Sequence, residues 1–230
     1  MEIDALLKLM DSQFTSRKFE TTPVPEENLE KIFKAARSAP SGANTQPWEF
    51  IVIKNSGKKE RIAEILVEAQ KNARKQDKEF PHGKKSNLYE RIVEPPVLIV
   101  VCADTRFKKA YPKVGDREGN LNVSMGVVIQ NMMLAAKAMG LSLSWNTVDS
   151  LSRRDLQNLL NVPDYLRIIE VLQLGYPAKS KPPSYRREIG EFVHEEELDT
   201  GKLRKNDEIK DLISSRKTPN IYSGIEENKK

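Results

Sequence analysis

The segment from Leu121 to Met139 constrains the fold more than any other. It carries no charge before Lys137. Val123, Met125, Val127, Val128, Ile129, Met132, Met133, Leu134, Ala135, Ala136 and Ala138 fall on every side of a helical wheel. A helix that is apolar all round has no face for water and must be covered on all sides. In a chain of 230 residues two arrangements satisfy that: a helix wholly inside one core, or a core helix that also meets a second subunit. The pattern leaves both open, and Gly126 allows close backbone approach.

A second segment, Val97–Ala103, is apolar at every position and follows Pro95-Pro96. Both pleat faces are therefore covered, as in a central strand. Around these two the remaining periodicities alternate. Leu29, Ile32, Phe33 and Ala36 recur at i, i+3, i+4 and i+7, which predicts a helix over Glu26–Ser38, opened at Pro25 and stopped by Pro40. Glu49–Ile53 reads as a strand closed by Asn55-Ser-Gly57, and a second helix follows over about Lys58–Lys78. Phe80–Ser86 reads as a polar loop and Asp104–Gly119 as a charged connection. Gly140 ends the apolar helix, Leu141–Asn146 alternates like a strand, and Ser152 with Asp155 predicts the cap of a helix ending at Leu160. Leu166–Leu174 is a further strand. From Lys179 onward periodicity is weak apart from a short helix near Asp207–Ile213. Alternating helices and strands suggest an α/β-like sheet with helices on its faces.

Composition narrows the function classes. Apolar residues are 38% of the chain, enough for a core, and charged residues are 31%. No window approaches the ~20 apolar residues of a membrane span, and the N-terminus MEIDALLKLMDSQF lacks the long apolar run of a secretory signal. A single cysteine, Cys102, excludes an intramolecular disulfide and fits a reducing, cytoplasmic location. Two histidines, His82 and His194, leave too few ligands for a Cys/His zinc site. The net charge of +5 equals the local excess between Lys54 and Arg91, where 11 bases stand among 6 acids. Glu60, Glu64 and Glu68 interleave with those bases at helical spacing, which reads as a solvated helix face rather than a nucleic-acid surface. Neither a P-loop nor a dinucleotide fingerprint is present, and no serine-hydrolase motif occurs. Cys102, mid-strand, reads as a small core hydrophobe rather than a nucleophile.

The residues that remain for chemistry are few. Positions 38–48 read Ser-Ala-Pro-Ser-Gly-Ala-Asn-Thr-Gln-Pro-Trp. Small side chains there expose backbone N–H groups, and amides offer the mixed donor and acceptor edge that a heterocycle needs. The segment joins a helix to a strand, a common site for a binding loop. Arg17 and the pair Arg186-Arg187 are candidate phosphate clamps, because guanidinium binds phosphate bidentately.

Together these pieces resemble the flavin-dependent nitroreductase family. The likeness rests on Ser16-Arg-Lys-Phe19 with Pro23-Val24, on Ala39–Trp48 leading into Phe50–Ile53, on Pro95–Val100, on Ala138-Met-Gly-Leu141, and on Leu174-Gly-Tyr-Pro177 with Arg186-Arg187. It spans roughly Phe14–Val193. The Pro-Ser-Gly-Ala-x-Thr-x-Pro-Trp form is nearest to the iodotyrosine deiodinase branch. The resemblance implies an α+β fold, a three-layer sandwich with a central mixed sheet between helices. It implies an arm-exchanged homodimer, with residues 1–193 as the FMN-binding domain and 194–230 as a C-terminal extension. It also implies FMN as cofactor, NADH or NADPH as donor, a small aromatic acceptor such as a nitro compound or quinone, and no nucleic-acid or membrane partner.

The same resemblance distributes roles. Gln13, Thr15, Ser16 and Arg17 fall on the segment that meets the FMN phosphate and the flavin N1–O2 edge, with Arg17 at that edge, where its charge would stabilise the anionic reduced ring. Pro40, Ser41, Gly42 and Asn44 match contacts to the ring system, and Ala43 would face the substrate. Trp145, Asn146 and Thr147 match the segment passing flavin N5, with Thr147 as the N5 partner. Arg187 matches a phosphate-binding arginine. The catalytic pair is thus Thr147 and Arg17. Gln13 and Phe14 depart from the family, which places basic residues there. No Glu-x-x-x-Tyr follows Glu64 or Glu68, so the amino-acid grip of the deiodinase branch is not matched. Alternatives within the resemblance are a reductive dehalogenase, a flavin-consuming relative that makes the lower base of cobalamin, and a flavin-binding module without turnover.

Overall fold

The computed structural model describes residues 2–76, 87–109, 112, 115–179 and 186–214. The described residues up to 179 form one compact unit, and 186–214 belong to a second.

In the first unit the chain runs α1 (Ile3–Asp11), α2 (Glu26–Arg37), β1 (Trp48–Ile53), α3 (Ser56–Gln76), α4 (Leu88–Val93), β2 (Val97–Asp104), α5 (Arg117–Ala138), β3 (Ser142–Thr147), α6 (Ser150–Leu160) and β4 (Leu166–Gly175). The second unit contains α7 (Asn206–Ser214), which covers the expected short helix. The expected Phe80–Ser86 loop and His82 lie outside the described residues, as do the end of the helix predicted to Lys78 and residues 215–230.

The four strands order as β1-β2-β4-β3. Every pairing among the described residues is antiparallel. The sheet is therefore α+β in character: helices and strands alternate along the chain as expected, but among the described residues no strands pair in parallel, so the sheet is not mixed. The physical reason is strand order: β2 and β3, joined through α5, run the same way, but β4 inserts between them and pairs antiparallel with both. A bulge between Val101 and Cys102 in the β2–β4 register leaves Ile169 without an opposite residue.

Helices cover both faces and make three layers. Val97, Ile99, Val101, Leu143, Leu172 and Leu174 face α2 and α5. Leu98, Val100, Cys102, Ile168 and Val171 face α3, α4 and α6. β2 is buried along its whole length except at Asp104. Cys102 is fully buried there, and burial pushes its thiol up to about 12, with Glu49 adding to the rise. It is an inert core residue, as its position in the strand suggests.

The apolar helix α5 starts at a cap that Asp116 makes by accepting from Gly119 N–H at 2.8 Å. Leu121, Met125, Val128, Ile129, Met132 and Ala136 bury one stripe against the sheet. On the other side Val127, Met133 and Ala135 are only partly buried against the core, and Val123 is 67% exposed. One local expectation is corrected. The cap of α6 is Asp149, whose carboxylate accepts from Leu151 and Ser152 N–H, both at 2.9 Å. Ser152, expected as the cap, instead donates its hydroxyl to Asp149. A carboxylate nearest the first free N–H groups wins that position. In addition α1 is a helix that the motif reading passed over, although Ile3, Leu6, Leu7 and Met10 carry the required spacing. Its apolar face is also open, with Ile3 64% exposed.

Candidate functional site

The segment before Phe19 is tied to the free edge of the sheet. The Ser144 hydroxyl on β3 donates to the Ser16 carbonyl at 2.8 Å in a buried contact. Ser16 turns its own hydroxyl to the Lys18 carbonyl at 2.7 Å. Phe19 bridges Pro177, Glu20 N–H reaches the Tyr176 carbonyl, and Ala178 N–H reaches the Lys18 carbonyl. Gly175 permits this crossing: a Cβ there would come within 2.7 Å of Pro96 Cδ and 3.0 Å of Phe19 Cδ1. The Leu174-Gly-Tyr-Pro motif is thus a seam between the N-terminal segment and β4. Thr15, Ser16 and Arg17 consequently lie beside β3, the strand that ends in Trp145, Asn146 and Thr147.

That strand changes character along its length. Ser142–Ser144 are buried, Trp145 is 48% exposed, and Thr147 is exposed. Thr147 donates its hydroxyl to Glu170 Oε1 at 3.0 Å, directly across the β3–β4 ladder. Glu170 Oε2 is buried without a hydrogen-bond partner. Desolvation pushes the Glu170 carboxyl up to about 7, against a smaller opposing pull from the Thr147 hydrogen bond. Sequence reading missed Glu170, although an acid inside an apolar strand, Leu166–Gly175, is the signal that marks it.

The loop expected to bind a heterocycle enters from elsewhere. Gly42–Asn44 forms one 3₁₀ turn. Gly42 N–H donates to Ser124 Oγ on α5 at 3.1 Å, and Gln46 N–H donates to Ser41 Oγ at 2.9 Å. Ala43, Asn44 and Gln46 take φ of 49°, 54° and 45°. Three non-glycine residues in the left-handed region within four positions represent stored strain, which concentrates at functional loops. Pro40, Ala43 and Asn44 are exposed. The loop feeds β1, and β1 and β3 are opposite edges of the sheet. Three strand spacings, about 14 Å, separate those edges. No hydrogen bond among the described residues joins the loop to Trp145–Thr147.

Gln13 and Phe14 line a cavity of about 20 Å³ with Met133, Lys137 and Leu143, space for about one water. Gln13 accepts from Gln130 at 3.4 Å, and Lys137 Nζ lies 4.8 Å from the Phe14 ring centroid. A larger cleft of about 260 Å³ between α3 and α6, lined by Arg61, Glu64, Glu68 and Asp155, contains none of the expected site residues. On α3, Arg61 pairs with Glu64 and Lys71 with Glu68, as a solvated helix face requires.

Arg17 is half-buried, and burial lowers its pKa. Arg187, in the second unit, donates to the Glu191 carbonyl and stands 5.5 Å from the Phe192 ring. Among the described residues no cluster of acids, histidines or cysteines could hold a metal ion, and no helix is long and apolar enough to cross a membrane.

Comparison with known proteins places this geometry. The nitroreductase family model matches residues 11–176. A Methanothermobacter thermautotrophicus protein, provisionally named an NADH dehydrogenase/NAD(P)H nitroreductase, is 29% identical over 76% of this chain and 78% of its own. The iodotyrosine deiodinase of Thermotoga neapolitana is 30% identical over 80% of this chain and 95% of its own. The solved NADPH:FMN oxidoreductase of Vibrio harveyi, in complex with NAD+, superposes with a TM-score of 0.69 at 20% identity. It covers 91% of this chain and 84% of its own. That likeness concerns the fold.

Proposed function

The chain belongs to the nitroreductase family, and on that premise we propose that it is an FMN-dependent oxidoreductase that takes electrons from NADH or NADPH and passes them to a small aromatic acceptor, a nitro compound or quinone, in two half-reactions at one site. The observation that carries this reading is the buried Ser144–Ser16 hydrogen bond. It locks Thr15–Arg17 alongside the exposed end of β3, so the two motif segments assigned to the phosphate, the N1–O2 edge and N5 run side by side.

The residues fit the cofactor in kind. A half-buried arginine, a strained loop with exposed backbone and an open aromatic edge at Trp145 suit a flat, anionic heterocycle. FMN, when bound, supplies the electron-carrying ring. The protein's part is to hold and bias it. Arg17 offers positive charge in a partly desolvated setting, where it acts more strongly than in water. Thr147 places a hydroxyl at the end of β3, with its proton directed at Glu170. Ser41, Gly42 and Asn44 present small polar groups, with Ala43 toward the acceptor. Trp145 and Asn146 complete the β3 side, and Gln13, Pro40 and Arg187 stand at the periphery of the reading.

The loop and the β3 edge leave opposite sides of one sheet, and α5 exposes Val123 beside Gly126. Both features favour a homodimer in which one copy's loop meets its partner's β3 edge, with 194–230 as an arm outside the domain formed by 1–193. A single buried cysteine supports a reducing, cytoplasmic location. The halotyrosine activity that the deiodinase relatives' name describes is the second reading, and the absence of Glu-x-x-x-Tyr after Glu64 or Glu68 speaks against it.

The test is anaerobic. The purified protein should show a flavin spectrum that NADH or NADPH bleaches and a nitroaromatic or quinone restores. Bound flavin that neither nicotinamide bleaches would overturn the reading. Halide release from a halotyrosine would favour the second one.

A further inference from the structure

Glu170 sits on β4 in a row of three residues across the sheet. Its neighbour on β2 is Val101, apolar and fully buried, and its neighbour on β3 is Thr147. Side chains in one row of an antiparallel sheet share a face. The Thr147 hydroxyl is thus the polar group that the row itself offers the carboxylate, and the two meet at 3.0 Å. The second oxygen, Oε2, is buried and has no hydrogen-bond partner among the described residues. The bulge between Val101 and Cys102 falls directly beside this row, and bulges re-aim side chains.

A carboxylate held this way works against cohesion. One oxygen has given up water and gained no partner, and the desolvation that lifts the carboxyl to about 7 reflects the same cost. An apolar side chain opposite Val101 would avoid it. What the carboxylate achieves is directional. Once ionised it only accepts, so the hydroxyl hydrogen of Thr147 is committed to it. Thr147 is exposed, and its Oγ keeps only lone pairs for anything that reaches the end of β3. We propose that Glu170 is a positioning residue: by holding the Thr147 hydroxyl hydrogen, it makes the open end of β3 a hydrogen-bond acceptor, matched to a partner that carries an N–H.

This rests on the flavin reading, with Thr147 beside N5, and deepens it. N5 of the oxidised ring has a lone pair and no hydrogen, whereas N5 of the reduced ring carries one. An acceptor at that point favours the reduced ring and raises the midpoint potential. Without Glu170 the hydroxyl turns round and donates to the oxidised ring instead. Glu170 lies outside every motif that carries the family resemblance, so this bias belongs to this chain's own sequence.

Glu170→Leu and Thr147→Val, alone and combined in the full chain, test it at about pH 9, where a carboxyl that titrates near 7 is ionised. The readouts are the midpoint potential of the bound flavin, by equilibration with a reference dye, and the melting temperature of the apoprotein. Glu170→Leu should weaken reduced relative to oxidised FMN roughly tenfold, about one hydrogen bond, which is a fall of about 30 mV for a two-electron couple. In the Thr147→Val background the same change should leave the potential where it is. A negative charge acting through space gives the opposite sign, since removing it eases reduction, and that rise overturns the proposal. A merely structural role overturns it as well, seen as a shifted apoprotein melting temperature with an unchanged potential. Thr147→Val alone, at an exposed position, should also lower the potential. An unchanged or raised value there counts against the proposal even where Glu170→Leu does not fold. A wild-type protein that takes up no flavin overturns the flavin reading and the proposal together, whereas a flavin-loaded protein whose potential moves the wrong way overturns the proposal alone.

Discussion

β2 and β3 both flank β4, yet they are opposite in kind. β2 is central, with no exposed residue from Val97 to Ala103 and apolar side chains on both faces. β3 is an edge strand, buried only as far as Ser144, then opening onto Trp145, Asn146 and Thr147. The same ladder thus supplies a strand devoted to cohesion and one whose last three residues open toward solvent. Their polar inventories differ accordingly. From Val97 to Ala103 β2 carries no charged, amide or hydroxyl side chain, whereas β3 and its β4 partners hold Ser142, Ser144, Gln173 and the Thr147–Glu170 pair.

Breaking the cohesive side should cost most. Leu98→Ala removes a fully buried side chain from the centre of the sheet. It should lower the unfolding free energy by about 2–5 kcal/mol, measured by urea denaturation, while the protein that remains folded binds flavin as before.

The buried pair at the β3–β4 boundary comes next and depends on pH. Glu170 has its carboxyl raised to about 7 from the ordinary 4.5. Between those values the native state holds a proton that the unfolded state has lost. Its contribution to stability is therefore complete below pH 4.5 and is lost as pH rises through 7. Glu170→Gln should stabilise the protein at pH 8 by about 3 kcal/mol and change little at pH 4. Thermal melts at the two pH values check this, and equal shifts at both would contradict the burial of that carboxyl.

The smallest effect belongs to the open end of β3. Trp145→Ala should move the unfolding free energy by about 0.5 kcal/mol or less, because the side chain is 48% exposed, yet it should change the flavin visible spectrum and affinity. A large stability loss with an unchanged spectrum would erase the contrast between the two strands.

Much of this was legible in sequence because it is periodic. The apolar run 97–103, the 3.6-residue stripe of α2 and the all-apolar α5 each state their environment directly. The exposure of Val123 on α5 was not legible, since a sequence shows that the residue is apolar but not what covers it. Residues whose role depends on a neighbour distant in the chain also escaped. Arg91 reads as one of many bases in a charged stretch, although its Nε–H is buried. Glu170 reads as a strand residue until its register sets it opposite Thr147. Asp149 outcompeted Ser152 for a cap by local chemistry that two adjacent candidates leave ambiguous. Composition singles out the 38–48 loop, but the left-handed backbone at Ala43, Asn44 and Gln46 falls on residues other than glycine and carries no such signal.

The central claim is that the loop side and the β3 side of the flavin site, on opposite edges of one sheet, meet across two copies of the chain. Complementation tests it most directly. Ser41→Trp should block the loop side and Arg17→Glu the β3 side, each leaving a folded protein that binds no flavin. Unfolding and refolding the two variants together should return flavin binding in a fraction of the sites, since a mixed pair contains one site with both halves intact. Flavin binding that stays absent in verified mixed dimers would contradict it.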